Sequence, residues 1–304
     1  MPPPVIMRCP DGGRARDGTN RGGAGVAAVE WLSWVLLGLV QGLTEFLPVS
    51  SSGHLVLGQV LLGLEAPGVL LEVTVHAATA AAVVTLFARE IASMAAAVLR
   101  WPLGPGRALE GDAAWRRLAW NLFVATAATS VMGFGLEPVF RGAFETPVVA
   151  AVMLLVTGTV LFLSVRLARG RLDLHDIRAS DAVLVGIFQG LAILPGLSRS
   201  GMTIVGGLTR GLSGEASARF SFLLSLPAIA GATLVEVFRS LGTYGPAPGG
   251  LPLSGLALAF TAAFASGLGA MVLLIRVVRR GGLHRFAWYC WAVGAAALVW
   301  LLGS

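Results

Sequence analysis

Long apolar segments recur along this chain and constrain its fold more than any other feature. Each is roughly 20 residues long, which is enough for a helix to cross about 30 Å of hydrocarbon. Hydrophobic residues make up 56% of the sequence and charged residues 12%, whereas charged residues are about a quarter of a soluble domain. The sequence therefore predicts an all-α polytopic membrane protein with six transmembrane helices, at residues 69–88, 118–136, 147–165, 216–238, 254–275 and 286–302.

The rest of the chain leaves no room for a separate soluble domain. Residues 1–28 are rich in glycine, proline and arginine and have no apolar core, so they are interpreted as a disordered tail rather than a signal peptide. Residues 29–304 form a single integral membrane domain. Nucleic-acid binding is excluded as a function because no soluble basic domain exists to hold a duplex. Cys9 and Cys290 lack metal-ligand spacing and indicate no disulfide or thiol chemistry.

The distribution of arginine predicts the orientation in the membrane. Loops that keep arginine tend to stay in the cytoplasm, and three arginine-rich loops lie at 89–117, 166–178 and 276–285. The segments 137–146 and 239–253 carry one arginine each and are assigned to the outer side. This alternation fits six crossings.

Two polar stretches, at residues 41–54 and 189–203, interrupt the apolar sequence. The first contains Glu45 and His54, and the second contains Arg199. A charged or titratable side chain at membrane depth costs several kcal/mol unless it faces protein or water, so each stretch is a hypothesis for a functional site.

The two polar stretches also indicate an internal duplication. At an offset of 148 residues (189 − 41), Gln-Gly-Leu and Ser-x-Ser-Gly recur in one register, which defines repeats at about 31–166 and 181–302. Each stretch lies between apolar arms too short to cross separately, at 31–43, 55–64, 182–193 and 204–212. One re-entrant helical hairpin and three crossings per repeat predict an inverted-topology repeat, in which the two hairpin tips meet near the midplane.

The second tip has the chemistry of an anion site. Helix N-terminal amides, hydroxyl groups and a guanidinium that can bond two oxygens suit phosphate better than carboxylate. The side chains concerned are those of Ser198, Arg199, Ser200 and Thr203. In the alternative interpretation, the hydroxyl groups only cap a helix and Arg199 extends to the lipid headgroups.

The first tip supplies complementary groups. Phosphoryl transfer needs charge neutralised on phosphate, an aligned attacking oxygen and removal of its proton. Arg199 meets the first of these needs, one of Ser50, Ser51 and Ser52 the second, and His54 or Glu45 the third. Gln41 and Glu45 share a helical face at i and i+4, so both can hold a divalent cation or orient a water. Two alternative interpretations stay open: Glu45 is only a structural partner of Arg199, and His54 is an ordinary core residue.

Residues 41–54 and 195–203 resemble the two signature motifs of bacterial undecaprenyl-pyrophosphate phosphatases of the bacitracin-resistance type. The resemblance extends from Trp31 over nearly all the remaining chain. It implies a phosphatase of the bacterial inner membrane that removes the terminal phosphate of the C55 polyprenyl pyrophosphate carrier and regenerates the monophosphate for peptidoglycan synthesis. It also implies an active site that opens to the outer, periplasmic side, and dependence on a divalent cation such as Mg²⁺ or Ca²⁺.

The resemblance assigns roles by position. The motif carboxylate is Glu45, the nucleophilic serine Ser51, the histidine His54 and the phosphate-binding arginine Arg199. Gln41 stands where many members have glutamate, so Glu45 is left as the main metal ligand with Gln41 beside it. The attacking group is Ser51, His54 or a water, and Ser51 is the preferred candidate.

Two functions of other classes compete with catalysis. A lipid-phosphate flippase or anion transporter would show the same inverted repeat, and a non-catalytic protein could bind and sequester the lipid carrier. The presence of Glu45 and His54 opposite Arg199 favours an enzyme, because binding alone needs no base. The sequence leaves open whether the protein forms a homodimer.

Overall fold

The computed structural model describes residues 23–62, 69–103, 109–167, 170–243 and 253–303. Within these ranges the regular structure is helical, apart from one isolated bridge between Leu172 and Leu212. The α-helices are α1 Gly23–Phe46, α2 Ser51–Leu62, α3 Val69–Leu86, α4 Ala88–Arg100, α5 Asp112–Gly135, α6 Glu137–Phe144, α7 Pro147–Leu163, α8 Ala179–Leu191, α9 Arg199–Thr209, α10 Gly214–Thr243, α11 Leu253–Arg279 and α12 Arg285–Gly303.

The helices confirm a multi-pass membrane protein. In the described ranges, α5, α7, α10, α11 and α12 are long and apolar enough to cross a bilayer. Helices α3 and α4 pass the same test only together, and they are bent by 80°. Each of the six apolar segments predicted from the sequence lies on one of these elements. Helix α1 begins at Gly23, ahead of the predicted tail boundary, and residues 1–22 lie outside the described ranges.

Two predicted loops are in large part helical. Residues 89–117 contain α4 and the start of α5, and residues 137–146 contain α6. Helix α4 breaks from α3 at Phe87, whose side chain is buried and packs 6.1 Å from the ring of Phe222. The turn therefore lies where an aromatic anchor holds the chain in the protein core, which hydropathy alone does not indicate.

The three arginine-rich segments meet at one end of the helix bundle. Arg219 of α10 pairs with Glu90 of α4, and Arg279 of α11 pairs with Glu215 at 2.5 Å. In the loop before α8, the ring of His175 packs 4.5 Å from that of Trp115. This grouping agrees with the topology that the arginine distribution predicts.

Glycines allow two helix pairs to approach closely. A Cβ atom at Gly42 of α1 would lie 2.3 Å from the Ala263 carbonyl oxygen of α11. A Cβ atom at Gly186 of α8 would lie 2.3 Å from the Ala125 carbonyl oxygen of α5. Both glycines belong to pairs spaced by four residues, Gly38 with Gly42 and Gly186 with Gly190, a spacing typical of close helix contacts in membranes.

Helix α1 ends about halfway along α11. Its residues contact α11 in parallel order, from Trp34 beside Gly255 to Phe46, whose ring lies beside Gly267. Because α11 extends from residue 253 to 279, the C-terminal end of α1 lies deep within the bundle. The polar residues that follow Phe46 are therefore held in the interior of the protein.

Candidate active site

The two polar turns share the same capping hydrogen bonds, although Ser50 has φ +67° and Ser198 has φ −68°. Ser50 precedes α2 and its Oγ accepts from the Gly53 amide at 3.2 Å, while Ser198 precedes α9 and its Oγ accepts from the Gly201 amide at 3.2 Å. The Ser50 and Ser52 hydroxyl oxygens are 3.3 Å apart, and those of Ser198 and Ser200 are 3.2 Å apart. Serine is a strong N-cap residue because its oxygen satisfies a free amide. Both Ser-x-Ser-Gly sequences therefore begin a helix, and capping is one established role of Ser50 and Ser198.

The two turns are in direct contact. The Ser200 hydroxyl donates to the Leu47 carbonyl oxygen at 3.1 Å. A Cβ atom at Gly53 would lie 2.8 Å from the Gly196 Cα, so two glycines face each other where the turns meet. Thr157 of α7 supports the second turn: its Oγ1 donates to the Gly196 carbonyl oxygen at 2.9 Å and accepts from the Ser198 amide at 3.1 Å.

Gly196→Ala is expected to destabilise the protein strongly. Gly196 has φ +91°, and a Cβ atom there would lie 2.1 Å from the Ala150 carbonyl oxygen. Left-handed backbone alone costs a residue with a Cβ atom about 1–2 kcal/mol, and the overlap with rigid backbone adds to it. Thermal unfolding in detergent measures the effect. Gly231→Ala is the control, because nothing lies within 4 Å of its Cβ position; equal melting temperatures of the two variants would contradict the prediction.

Glu45 connects the two turns. Its Oε1 accepts from Arg199 Nη2 at 2.5 Å, and its Oε2 accepts from the Ser51 hydroxyl and the Gln41 side-chain amide, each at 3.0 Å. Ser51 and Arg199 are the first residues of α2 and α9 and correspond at the offset of 148 (199 − 51). The structure thus brings Gln41, Glu45, Ser51 and Arg199 together, as the sequence predicts.

The charges in this cluster are shielded from water. Glu45 is 8% exposed, and the side chain of Arg199 is 18% exposed. A buried carboxylate is stable only with a paired cation and further hydrogen bonds, and Arg199, Ser51 and Gln41 provide them. Only Nη2 of Arg199 bonds to a described residue. Because a guanidinium carries five N–H donors, Arg199 keeps donors for the oxygens of a bound anion.

His54 points away from the Glu45 cluster. Its Nδ1 lies 2.7 Å from the Ser50 carbonyl oxygen, which can only accept, so Nδ1 carries a proton. Its Nε2 lies 2.8 Å from the hydroxyl of Tyr289 in α12, and the two rings stack with their centres 5.6 Å apart. A neutral His54 therefore has its free electron pair on Nε2 and accepts a hydrogen bond from Tyr289. Within the described residues, no hydrogen bond joins His54 to Glu45, Ser51 or Arg199.

Tyr289 was missed in the sequence analysis. It lies 235 residues from His54 in an aromatic-rich span, among Trp288 and Trp291, and no local pattern distinguishes it from them. Thr157 was missed for the same reason, as an ordinary polar residue in the apolar helix α7.

Tyr289→Phe is expected to lower kcat about three- to tenfold with little change in KM. The variant keeps the stacked ring and removes only the hydroxyl that orients His54, and one hydrogen bond contributes about 0.5–1.5 kcal/mol. Phosphate release at saturating and limiting substrate separates the two constants. Trp288→Phe, at an exposed neighbour that does not contact His54, is the control. An unchanged kcat in Tyr289→Phe would show that His54 does not need the hydrogen bond from Tyr289.

Thr203 and a further histidine, His76, lie around the cluster. The hydroxyl of Thr203 is buried, donates to the Arg199 carbonyl oxygen at 2.8 Å and lies 2.6 Å from the Ser221 hydroxyl. His76 Nε2 lies 3.5 Å from the Gln41 side-chain nitrogen, and its Nδ1 lies 2.9 Å from the Glu72 carbonyl oxygen. His76 is therefore adjacent to the site, whereas Thr203 already has its hydrogen bonds within the bundle.

A cation site made of protein alone is not formed by the described residues. They contain no group of three or more His, Cys, Asp or Glu side chains placed to hold a metal. Glu45 and Ser51 nevertheless offer oxygen atoms around one point, next to the side-chain amide of Gln41, whose nitrogen faces Glu45. Such a set suits Mg²⁺, which keeps several waters and is bound through one or two carboxylates together with substrate phosphates.

The chain matches a known protein family and many curated relatives in sequence. The family model for the bacitracin resistance protein BacA matches residues 34–296. An undecaprenyl-diphosphatase of Desulfatibacillum aliphaticivorans is 44% identical over 282 residues, covering 89% of this chain and 99% of the relative. Undecaprenyl-diphosphatases of Syntrophotalea carbinolica and Methanobrevibacter smithii are 43% and 40% identical, and cover 88% and 86% of this chain and 97% and 94% of their own lengths. By this match, which includes both polar turns, the chain belongs to the BacA family.

Proposed function

We propose that this protein is a membrane undecaprenyl-diphosphatase, which hydrolyses undecaprenyl pyrophosphate to undecaprenyl phosphate and inorganic phosphate and so recycles the lipid carrier. The observation that carries the proposal is the buried contact of Glu45 with both Ser51 and Arg199. In this contact a carboxylate, a hydroxyl and a guanidinium surround one point, in a chain whose relatives are named for this reaction.

The contacts suggest how the reaction proceeds. The unused N–H groups of Arg199 bind non-bridging oxygens of the terminal phosphate. Ser51 Oγ attacks that phosphorus while Glu45 Oε2 takes the hydroxyl proton, and the bond to the bridging oxygen breaks, releasing undecaprenyl phosphate. Water then hydrolyses the phosphoserine to inorganic phosphate and restores the Ser51 hydroxyl. His54 lies one helical turn from Ser51 and is assigned as the base for that water, a role that requires its Nε2 to exchange the Tyr289 hydroxyl for the water.

We propose that the two turns are tips of re-entrant hairpins in an inverted repeat. Helices α2, α8 and α9 have 12, 13 and 11 residues, at most about 20 Å at 1.5 Å per residue, which is short of the roughly 30 Å of hydrocarbon. Helix α1 has 24 residues and is longer than the arm predicted at 31–43, but it ends about halfway along α11. Equivalent helices also pair across the repeats, since α1 packs on α11 as α8 packs on α5, and α3 packs on α10. These contacts are typical of two halves related by a pseudo-twofold axis.

We infer that the site opens to the outer face of the bacterial cell membrane. The arginine-rich end of the bundle belongs in the cytoplasm, and α11 begins at the opposite end, where α1 runs beside it toward the site. Labelling of single cysteines introduced at Glu145 and Arg171 tests this orientation. Reaction of the Arg171 position, rather than the Glu145 position, with an impermeant reagent added outside would reverse it.

A divalent cation is proposed to accompany the pyrophosphate, held by Glu45 with Gln41 and neutralising charge on the phosphate oxygens. Gln41→Glu places a second carboxylate beside Glu45 Oε2, 3.0 Å from the present amide nitrogen, and is expected to lower the Mg²⁺ concentration for half-maximal activity about tenfold, because an added carboxylate strengthens binding of a hard cation. Metal titration of phosphate release measures this. An unchanged titration would place the ion away from residue 41.

The function is tested with purified protein in detergent and a polyprenyl pyrophosphate. Release of inorganic phosphate with formation of the polyprenyl monophosphate is expected. A flippase would instead move labelled lipid between leaflets of a vesicle without releasing phosphate, and a sequestering protein would bind the lipid unchanged. Either of these results without phosphate release would overturn the proposal.

A further inference from the structure

A cavity lined by arginines lies at the junction of α11 and α12, at the arginine-rich end of the bundle. Its volume is about 250 Å³, and its lining residues are Leu273, Arg276, Val277, Arg280, Gly282 and Arg285. Leu273, Arg276 and Val277 of α11 and Arg280, which follows its last residue, are spaced i, i+3, i+4 and i+7, so they lie along one side of the chain. No acidic residue lines the cavity.

The three guanidinium groups are available to a ligand. Arg276, Arg280 and Arg285 are exposed, and their guanidinium groups make no ion pair or hydrogen bond with any residue in the described ranges. The neighbouring Arg279 differs, because both its Nε and Nη2 bond to Glu215, at 2.7 and 2.5 Å. The cavity thus contains three positive charges that no acidic residue of the described ranges pairs with. Arg279, which pairs with Glu215, does not line the cavity.

The helix dipole accounts for only part of this arrangement. Arg276 and Arg280 lie in or just after the last turn of α11, where a cation is favourable, but Arg285 is the first residue of α12, where the dipole disfavours a positive charge. A cation held there without an acidic partner indicates an external anion. The apolar part of the lining, Leu273 and Val277, lies on the membrane-spanning portion of α11. A small soluble anion would offer these two side chains no apolar contact.

We propose that this cavity binds an anionic phospholipid of the adjacent leaflet. The phosphate accepts from the three arginines, and an acyl chain lies along Leu273 and Val277. Basic pockets between membrane helices on the cytoplasmic side recognise such headgroups. Trp288 of α12, which is 64% exposed one turn after Arg285, places an aromatic side chain at the headgroup level, where tryptophan is enriched. The site is separate from the Glu45 cluster and does not depend on the proposed reaction.

The test compares lipid binding by native mass spectrometry of the detergent-purified protein with phosphatidylglycerol and with phosphatidylcholine of the same acyl chains. Wild-type protein is expected to retain phosphatidylglycerol preferentially. The double variant Arg276→Gln/Arg280→Gln is expected to bind it about 30-fold more weakly, since each arginine near anionic lipid contributes about 1 kcal/mol. Thermal unfolding and phosphate release in lipid-free detergent should stay at wild-type values.

The matched control is Arg89→Gln/Arg166→Gln, which removes two exposed arginines from the other two arginine-rich segments, outside the cavity. Equal weakening by the control would show a diffuse charge effect and overturn the proposed site. Unchanged phosphatidylglycerol binding in the cavity variant would overturn it as well. Displacement of the lipid by millimolar inorganic phosphate would assign the cavity to a soluble anion instead.

Discussion

Arg199→Ala is expected to reduce phosphate release at least about a thousandfold, because an arginine that neutralises a transferring phosphoryl group contributes about 10³–10⁵ in kcat. The same change removes the cation that pairs with Glu45 at 2.5 Å. Leaving one partner of a buried ion pair alone costs about 3–5 kcal/mol, so a lower melting temperature is expected as well. Activity must therefore be measured per folded molecule, at a temperature below both unfolding transitions.

Two further variants separate the catalytic effect from the structural one. Arg199→Lys keeps a positive charge near Glu45 but loses the planar fork that binds two oxygens, so it should recover more stability than activity. Arg141→Ala removes an exposed ion pair with Glu137, which contributes about 0–1 kcal/mol, and should leave phosphate release unchanged. Arg199→Ala enzyme that is folded and fully active would remove Arg199 from the mechanism.

The second large effect is expected at Glu45 and Ser51. Glu45→Gln keeps the shape of the side chain but cannot take a proton, and Ser51→Ala removes the attacking oxygen. Groups that act as one unit are strongly non-additive, so each single variant should lose about a thousandfold and the double variant little more. Initial rates of phosphate release from the wild type, the two single variants and the double variant give the coupling energy between Glu45 and Ser51.

Ser52→Ala is the control for Ser51→Ala. The described hydrogen bond of the Ser52 hydroxyl is to Ser50, at 3.3 Å, and its loss should change the rate less than tenfold, as expected for one neutral hydrogen bond. High activity in Ser51→Ala together with loss in Glu45→Gln would identify a water activated by Glu45 as the nucleophile. Additive losses in the double variant would show that the two residues act independently.

Much of the membrane architecture could be predicted from the sequence. The apolar segments lie on α3, α5, α7, α10, α11 and α12, because about 20 apolar residues must form a helix whose backbone bonds are internal in lipid. The prediction failed at residues 89–117 and 137–146, where α4 and α6 replace loops. Arginine content indicates which side a segment lies on, but not whether it is helical.

The candidate site was predicted in part. Ser51 was selected among three serines by the family resemblance, and Glu45 and Arg199 were selected because charge at membrane depth is costly; the structure brings the three residues into contact. His54 was selected on the same ground, but its bonds lead to Ser50 and Tyr289 instead. The sequence could not indicate this, since Ser51 and His54 are one helical turn apart and small differences in helix rotation decide which neighbour each side chain contacts.

The sequence by itself determined that this chain is a multi-pass helical membrane protein with two related polar interruptions and groups suited to phosphate chemistry. These conclusions depend on hydropathy, composition and local spacing, which are properties of short segments. Only the tertiary structure decided that Ser200 contacts Leu47, that Arg199 bonds to Glu45 and that Tyr289 bonds to His54. Such pairings join residues more than a hundred positions apart in the sequence. They form only if the helices approach closely at their glycines, and a local sequence pattern does not specify that distance.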